Sequence, residues 1–228
     1  MNGGTNGGTT KSKAFGDVPV TWRLTPMSDV PDQRVADTIA IMCEYACEDA
    51  EDPLVIEDAQ SALALGGGDP LLGVWTWCKS RFQFTQDEEL SDGVELPPTV
   101  VRTDIVEVLI RPRDVSRMMR MSIQPVEDCD GYSTYAASLL LALGVPCRFC
   151  TVAVDPRDPS EYSHVYLVAY RFDNGRVAID ASHGKYFGWE CPNPFGKRRE
   201  WCVEHVPWVG YLIGAVALAT LAWFGMRG

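Results

Sequence analysis

Positive charge and histidine are scarce in this sequence of 228 residues. Lys and Arg number 20 against 31 Asp and Glu, for a formal net charge of −11, and there are three histidines. Nucleic-acid binding needs clustered basic residues to neutralise phosphates, so this balance excludes it. The densest basic run, Lys197-Arg198-Arg199, is short. Also missing is an apolar leader: the opening MNGGTNGGTTKSKAFGD is polar and rich in Gly and Thr. Without an export signal, the eight cysteines are expected to be thiols in a reducing compartment rather than a disulfide framework. Disorder is excluded by a content of 46% hydrophobic and 22% charged residues, which suits one globular domain with appendages.

Hydrophobic periodicity organises the chain. Residues 1–30 read as a flexible segment, 31–205 as the domain and 206–228 as an appended apolar tail. Ser28, Asp29 or Asp32 would cap a helix from Gln33 to Ala50, in which Val35, Ile39, Met42, Cys43 and Ala46 share a face. Pro53 suits the first turn of a second helix running to Leu65, and Gly66-Gly67-Gly68 ends it. A third helix runs from Pro70 to Phe82. Thr85 to Pro98 is an acidic loop, and Val100 to Ile110 is an apolar, β-branched run broken by Arg111-Pro112. A short helix from Asp114 to Met121 follows, with Met118, Met119 and Met121 as adaptable packing. Gly131 to Leu143 is a helix stopped by Gly144. Strands are expected at Cys147–Val154, His164–Phe172 and Arg176–Asp180, the last two joined through Asp173-Asn174-Gly175. The fold class is therefore α+β, with helices packed on an antiparallel sheet.

Cys129 stands at the start of the Gly131–Leu143 helix. There the positive end of the dipole favours a thiolate, and backbone N–H groups can bind an oxyanion. His164 opens one strand and Asp180 closes its hairpin partner, so the two side chains can meet and the carboxylate can orient the imidazole. Taken singly, each has a bland alternative: a packed cysteine, a structural histidine, a turn aspartate. Three residues at compatible places favour a cysteine nucleophile with a His base and an Asp orienter.

The run Asp128-Cys129-Asp130-Gly131-Tyr132-Ser133, then an Ala/Leu-rich helix, then Leu143-Gly144-Val145-Pro146-Cys147-Arg148-Phe149, resembles the transglutaminase-like superfamily. That family reads approximately G-D-C-D-D-[YF]-[ST], helix, L-G-I-P-A-R-[FY]. His164-Val165-Tyr166 and Asp180-Ala181-Ser182 match its later marks. The resemblance covers residues 124–182 closely and Trp75–Asp87 more weakly. It implies a papain-like core and acyl transfer without a cofactor or metal, on a protein or peptide substrate, through Cys129, His164 and Asp180. Gln124 stands where a papain-like enzyme places an oxyanion donor, and a surface glutamine is the equal alternative. Upstream, Ile39–Glu48, Asp52–Ala59 and Glu107-Val108-Leu109-Ile110-Arg111-Pro112 resemble transglutaminase-like proteins encoded among bacteriophage structural genes. That likeness implies a virion component as an alternative. Two positions depart from the family pattern: Glu127 where Gly is common, and Gly131 where a second Asp is frequent.

Cys147 and Cys150 form a C-x-x-C that could join Cys191, Cys202, His183 and His205 around zinc. Residues three apart on a strand face opposite ways, which argues against it. His183 is also a rival base to His164. From Trp208 to Met226 no residue is charged, and at ~1.5 Å per residue a helix there would span ~28 Å. Trp208, Tyr211, Trp223 and Phe224 mark its ends, and Gly210 and Gly214 offer a helix-pairing face for a homo-oligomer. The expectation is a single-pass C-terminal anchor, with Lys197, Arg198 and Arg199 keeping the domain cytoplasmic. A buried terminal helix in an assembly is the alternative.

Overall fold

The computed structural model describes residues 9–11, 19–21, 30–85, 109–171 and 175–203. Two short strands, β1 (Thr9–Lys11) and β2 (Pro19–Thr21), pair antiparallel. Three helices follow: α1 (Pro31–Asp49), α2 (Pro53–Leu65) and α3 (Pro70–Arg81). Each opens on a proline, whose missing N–H costs nothing in the first turn. Asp52 Oδ1 caps α2 by accepting from Leu54 N at 2.9 Å, and Asp69 Oδ1 caps α3 from Leu71 N at 2.9 Å. α1 departs from expectation. Its N-cap is Val30, with no side-chain cap bond, and Asp32 lies inside the first turn, where its charge suits the dipole. Ser28 and Asp29 lie outside the described residues.

Strand β3 (Gln83–Phe84) pairs in parallel with β4 (Val126–Glu127). Between them comes α4 (Pro112–Arg120), and after β4 comes α5 (Cys129–Ala142). The main sheet contains β5 (Cys147–Val152), β6 (His164–Tyr170), β7 (Arg176–Ile179) and β8 (Arg198–Cys202). Its order is β7-β6-β5-β8, and every neighbouring pair is antiparallel. The α+β architecture expected from the sequence is present. β8 was not expected, since Lys197-Arg198-Arg199 had shown only as a basic run. Three strands are shorter than expected: β5 ends at Val152, β6 at Tyr170 and β7 at Ile179, which leaves Asp180 one residue past the strand.

α5 packs on β5 and β6 through Ala136, Leu139 and Leu140 against Phe149, Val165 and Leu167, all in one core with α1, α2 and α3. Burying a single Leu or Phe side chain contributes about 1.5–3 kcal/mol. The far face of the sheet has a smaller cluster of Cys150, Val152, Tyr166, Val168, Ala178 and Cys191. Met118 is fully buried and Met119 packs against the core, but Met121 is 53% exposed and belongs to neither apolar cluster, contrary to the expectation for all three methionines. Residues 86–108 and the tail 204–228 lie outside the described residues. Among those described, no helix is long and apolar enough to cross a membrane.

Candidate active site

The helix that the sequence begins at Gly131 begins two residues earlier. Cys129 is its first residue and Asp128 its N-cap, with Oδ1 accepting from Asp130 N at 3.0 Å and Gly131 N at 3.4 Å. Those two amides therefore serve the cap rather than an oxyanion. The cap orients the first turn, so the Cys129 side chain is held at the positive end of a fourteen-residue helix.

His164 is the first residue of β6, the strand against which α5 packs. The Ser133 hydroxyl links the two elements: its oxygen lies 2.7 Å from the Cys129 carbonyl and 3.3 Å from the Val165 carbonyl. One serine thus bridges the residue bearing the thiol and the neighbour of the histidine. Asp180 follows β7, and its Oδ2 lies 2.8 Å from His164 Nε2. An ionised carboxylate only accepts, so Nε2 carries the proton and Nδ1 is the basic nitrogen. Both groups are out of solvent, at 6% exposure for His164 and 1% for Asp180.

Asp180 is itself positioned by a tight turn. Its Oδ1 accepts from His183 N at 2.9 Å and from the Ser182 hydroxyl at 3.1 Å. Its carbonyl accepts from Gly184 N at 3.1 Å and from Trp75 Nε1 at 3.0 Å. A Cβ on Gly184 would stand 2.1 Å from that carbonyl oxygen, so the close approach requires glycine. Burial pushes the Asp180 carboxyl up, but the hydrogen bond and charge of His164, the His183 amide and the Ser182 hydroxyl together hold it below the ordinary carboxylate range.

Cys129 and His164 line one cleft of about 280 Å³, together with Asp128, Thr151 and Glu161. Its other wall is a single stripe of α1, made by Arg34, Val35, Thr38, Ile39 and Met42 at helical spacing. This wall was read as core from the sequence, because its apolar members obey the same periodicity as any buried face. Thr38 and Arg34 are the polar members, and only folding brings them beside Cys129.

No family model matches the sequence, and no curated protein matches it. Solved structures similar to it include a protein from Cytophaga hutchinsonii described as a candidate cysteine protease, at 12% identity and a TM-score of 0.38. That alignment covers 79% of this chain and 53% of the other. Another is a protein described as a TGase, at 13% identity and a TM-score of 0.37, covering 73% of this chain and 37% of the other. The chain thus spans about half the length of one and little over a third of the other.

The remaining residues singled out in the sequence fall as follows. Gln124 is exposed and does not line the cleft, so the structure does not bring it to Cys129. Cys147 belongs to the helix-side core and Cys150 to the cluster on the far face, so the C-x-x-C pair is split across the sheet. His183 is exposed as a residue, yet its ring sits edge-on to His164 at 4.6 Å and to Phe84 at 4.7 Å. Burial and then the neighbouring His164 charge lower its pKa. Donor atoms of His164, Asp180 and His183 lie within 4.8 Å of one another, close enough for metal ligation. The Asp180 oxygens are, however, already engaged by His164, Ser182 and the His183 amide.

The two departures from the family pattern form one arrangement. Glu127 is 1% exposed, and a Cβ added at Gly131 would stand 2.1 Å from its Oε2 and 2.7 Å from its Cδ. The Glu127 carboxylate therefore occupies the space that a side chain at 131 would fill.

Proposed function

We propose that the chain is a cysteine acyl-transfer enzyme of transglutaminase-like type, a peptidase, amidase or transamidase, working through Cys129, His164 and Asp180. The observation that carries the reading is the buried 2.8 Å His164–Asp180 pair at a cleft that also contains Cys129 at a helix start. His164 Nδ1 takes the thiol proton, and the Cys129 sulfur attacks the carbonyl carbon of a protein or peptide amide. The negative charge that develops on the carbonyl oxygen is favoured by the helix N-terminus, with the Cys129 N–H as the assigned donor. Collapse breaks the C–N bond, and His164 gives its proton to the departing amine. Water or a second amine then attacks the thioester, His164 takes the incoming proton, and the sulfur leaves as thiol. Asp180 holds the imidazole in the reactive tautomer and stabilises its charged form throughout.

A thiol-directed activity probe tests this. Labelling of wild type that is lost in Cys129→Ala and strongly reduced in His164→Ala is the expected outcome. Wild-type labelling equal to the Cys129→Ala background under reducing conditions would leave only the alternative: a virion component that uses the fold as a scaffold.

We further propose that residues 206–228 tether the domain to a membrane, with the domain on the cytoplasmic side. Support comes from the uncharged run between Trp208 and Met226 and its aromatic ends. Deleting 206–228 is expected to release the protein from carbonate-washed membranes. Association that survives the deletion would refute the tether.

A further inference from the structure

The cleft contains one cation that the proposed reaction does not use. Arg34 sits on the α1 stripe lining the cleft, one turn before Thr38. Its Nε is buried and meets no acceptor, and it forms no ion pair with any described carboxylate. This sets it apart from the other half-buried arginines: Arg113 pairs with Asp49, Arg117 pairs with Asp114, and Arg81 lies over the Trp77 ring. Arg111 pairs with Glu48 and Asp49, Arg120 with Glu57 and Asp58, and Arg176 with Glu190 and Glu200. The acidic groups sharing the cleft are placed otherwise: Asp128 caps α5, Asp130 is buried at 4% exposure, and Glu161 is half-buried without a bond to Arg34. A buried N–H donor without a partner is a standing cost, and the planar guanidinium fork matches a carboxylate with two parallel hydrogen bonds.

We propose that Arg34 recognises the substrate, holding a carboxylate close to the carbonyl that Cys129 attacks. The assignment rests on the cysteine acyl-transfer reading and narrows its substrate to amides with a nearby carboxylate. An arginine kept in this cleft for stability alone would be expected to find a carboxylate or aromatic partner, as its counterparts do.

Iodoacetate and iodoacetamide test it on the full chain. Both alkylate a thiolate by displacing iodide, and they differ by one carboxylate. The rate at Cys129 is followed by peptide mass spectrometry, with glutathione as the reference thiol. The iodoacetate-to-iodoacetamide ratio should be higher at Cys129 than at glutathione, and Arg34→Gln should lower it about tenfold, the loss expected for one charge-assisted contact. If Arg34→Gln loses its thermal transition, Arg34→Met, which keeps the apolar stem, is measured the same way. An unchanged ratio in the folded variant, or a wild-type ratio no higher than that of glutathione, overturns the assignment while leaving the acyl-transfer reading intact. Iodoacetamide reactivity at Cys129 no greater than that of glutathione, and indifferent to His164→Ala, sinks both.

Discussion

Asp58 and Asp180 are both buried carboxylates, and they are partnered in different ways. Asp58 on α2 accepts from the Tyr135 hydroxyl at 2.7 Å and pairs with Arg120 at 3.1 Å, while Ser116 lies 3.2 Å from the same tyrosine oxygen. Arg120 runs on to Glu57 at the surface, but no member of the cluster lines the cleft, so the cluster is closed to the site and ties α2, α4 and α5 together. Asp180 is equally buried, but its partner His164 has a second ring nitrogen and lines a cleft. A closed polar network can only stabilise; an open one can pass a proton to something outside itself. The chemical types are alike in the two places, and what differs is whether the last member of the chain of hydrogen bonds faces empty space.

The largest expected effect separates the two directly. Asp180→Asn should slow probe labelling of Cys129 on the order of a hundredfold or more, because the amide no longer fixes the reactive tautomer. Asp58→Asn should instead lower unfolding free energy by about 2–3 kcal/mol, since it leaves Arg120 and Tyr135 poorly partnered, with labelling of the folded protein unchanged. Equal effects of the two substitutions on labelling, measured beside denaturant melts, would erase the distinction between open and closed networks.

A smaller effect sharpens it through another buried carboxylate, Glu127. Gly131→Ala should destabilise by about 1–3 kcal/mol, because the added methyl collides with the Glu127 side chain. In a Glu127→Gly background, which also removes the Cβ standing 3.0 Å away, the same change should become favourable by about 0.5–1 kcal/mol, the ordinary gain of Ala over Gly within a helix. A double-mutant cycle by urea unfolding reads the reversal of sign. If the sign stays the same in both backgrounds, Glu127 does not occupy the 131 position.

Much of this was legible before folding was known. Prolines 53 and 70 announce helix starts, and the periodicity of Val35, Ile39 and Met42 announces a buried face, because these signals are local. The His164–Asp180 pair was legible because a hairpin ties two strands by a short connection. β8 was not legible. Arg198–Cys202 pairs with β5 across a long separation, with Trp201 Nε1 donating to Thr151 Oγ1 at 2.9 Å, and its charged residues hide the strand pattern. The N-cap of α1 was misplaced because a proline start needs no side-chain cap.

The sequence by itself determined the α+β class, the helix bearing Cys129 and the identity of the His164–Asp180 pair, since each follows from residue type, spacing and short-range connection. The tertiary structure alone decided that Asp180 is held by a turn closed on Gly184 and Trp75, and that the Glu127 side chain fills the space beside Gly131. It also decided that Arg34 stands at the cleft with no carboxylate partner among the described residues. Those depend on contacts between segments far apart in the chain, and no local pattern encodes which side chain will find a partner and which will be left facing a cavity.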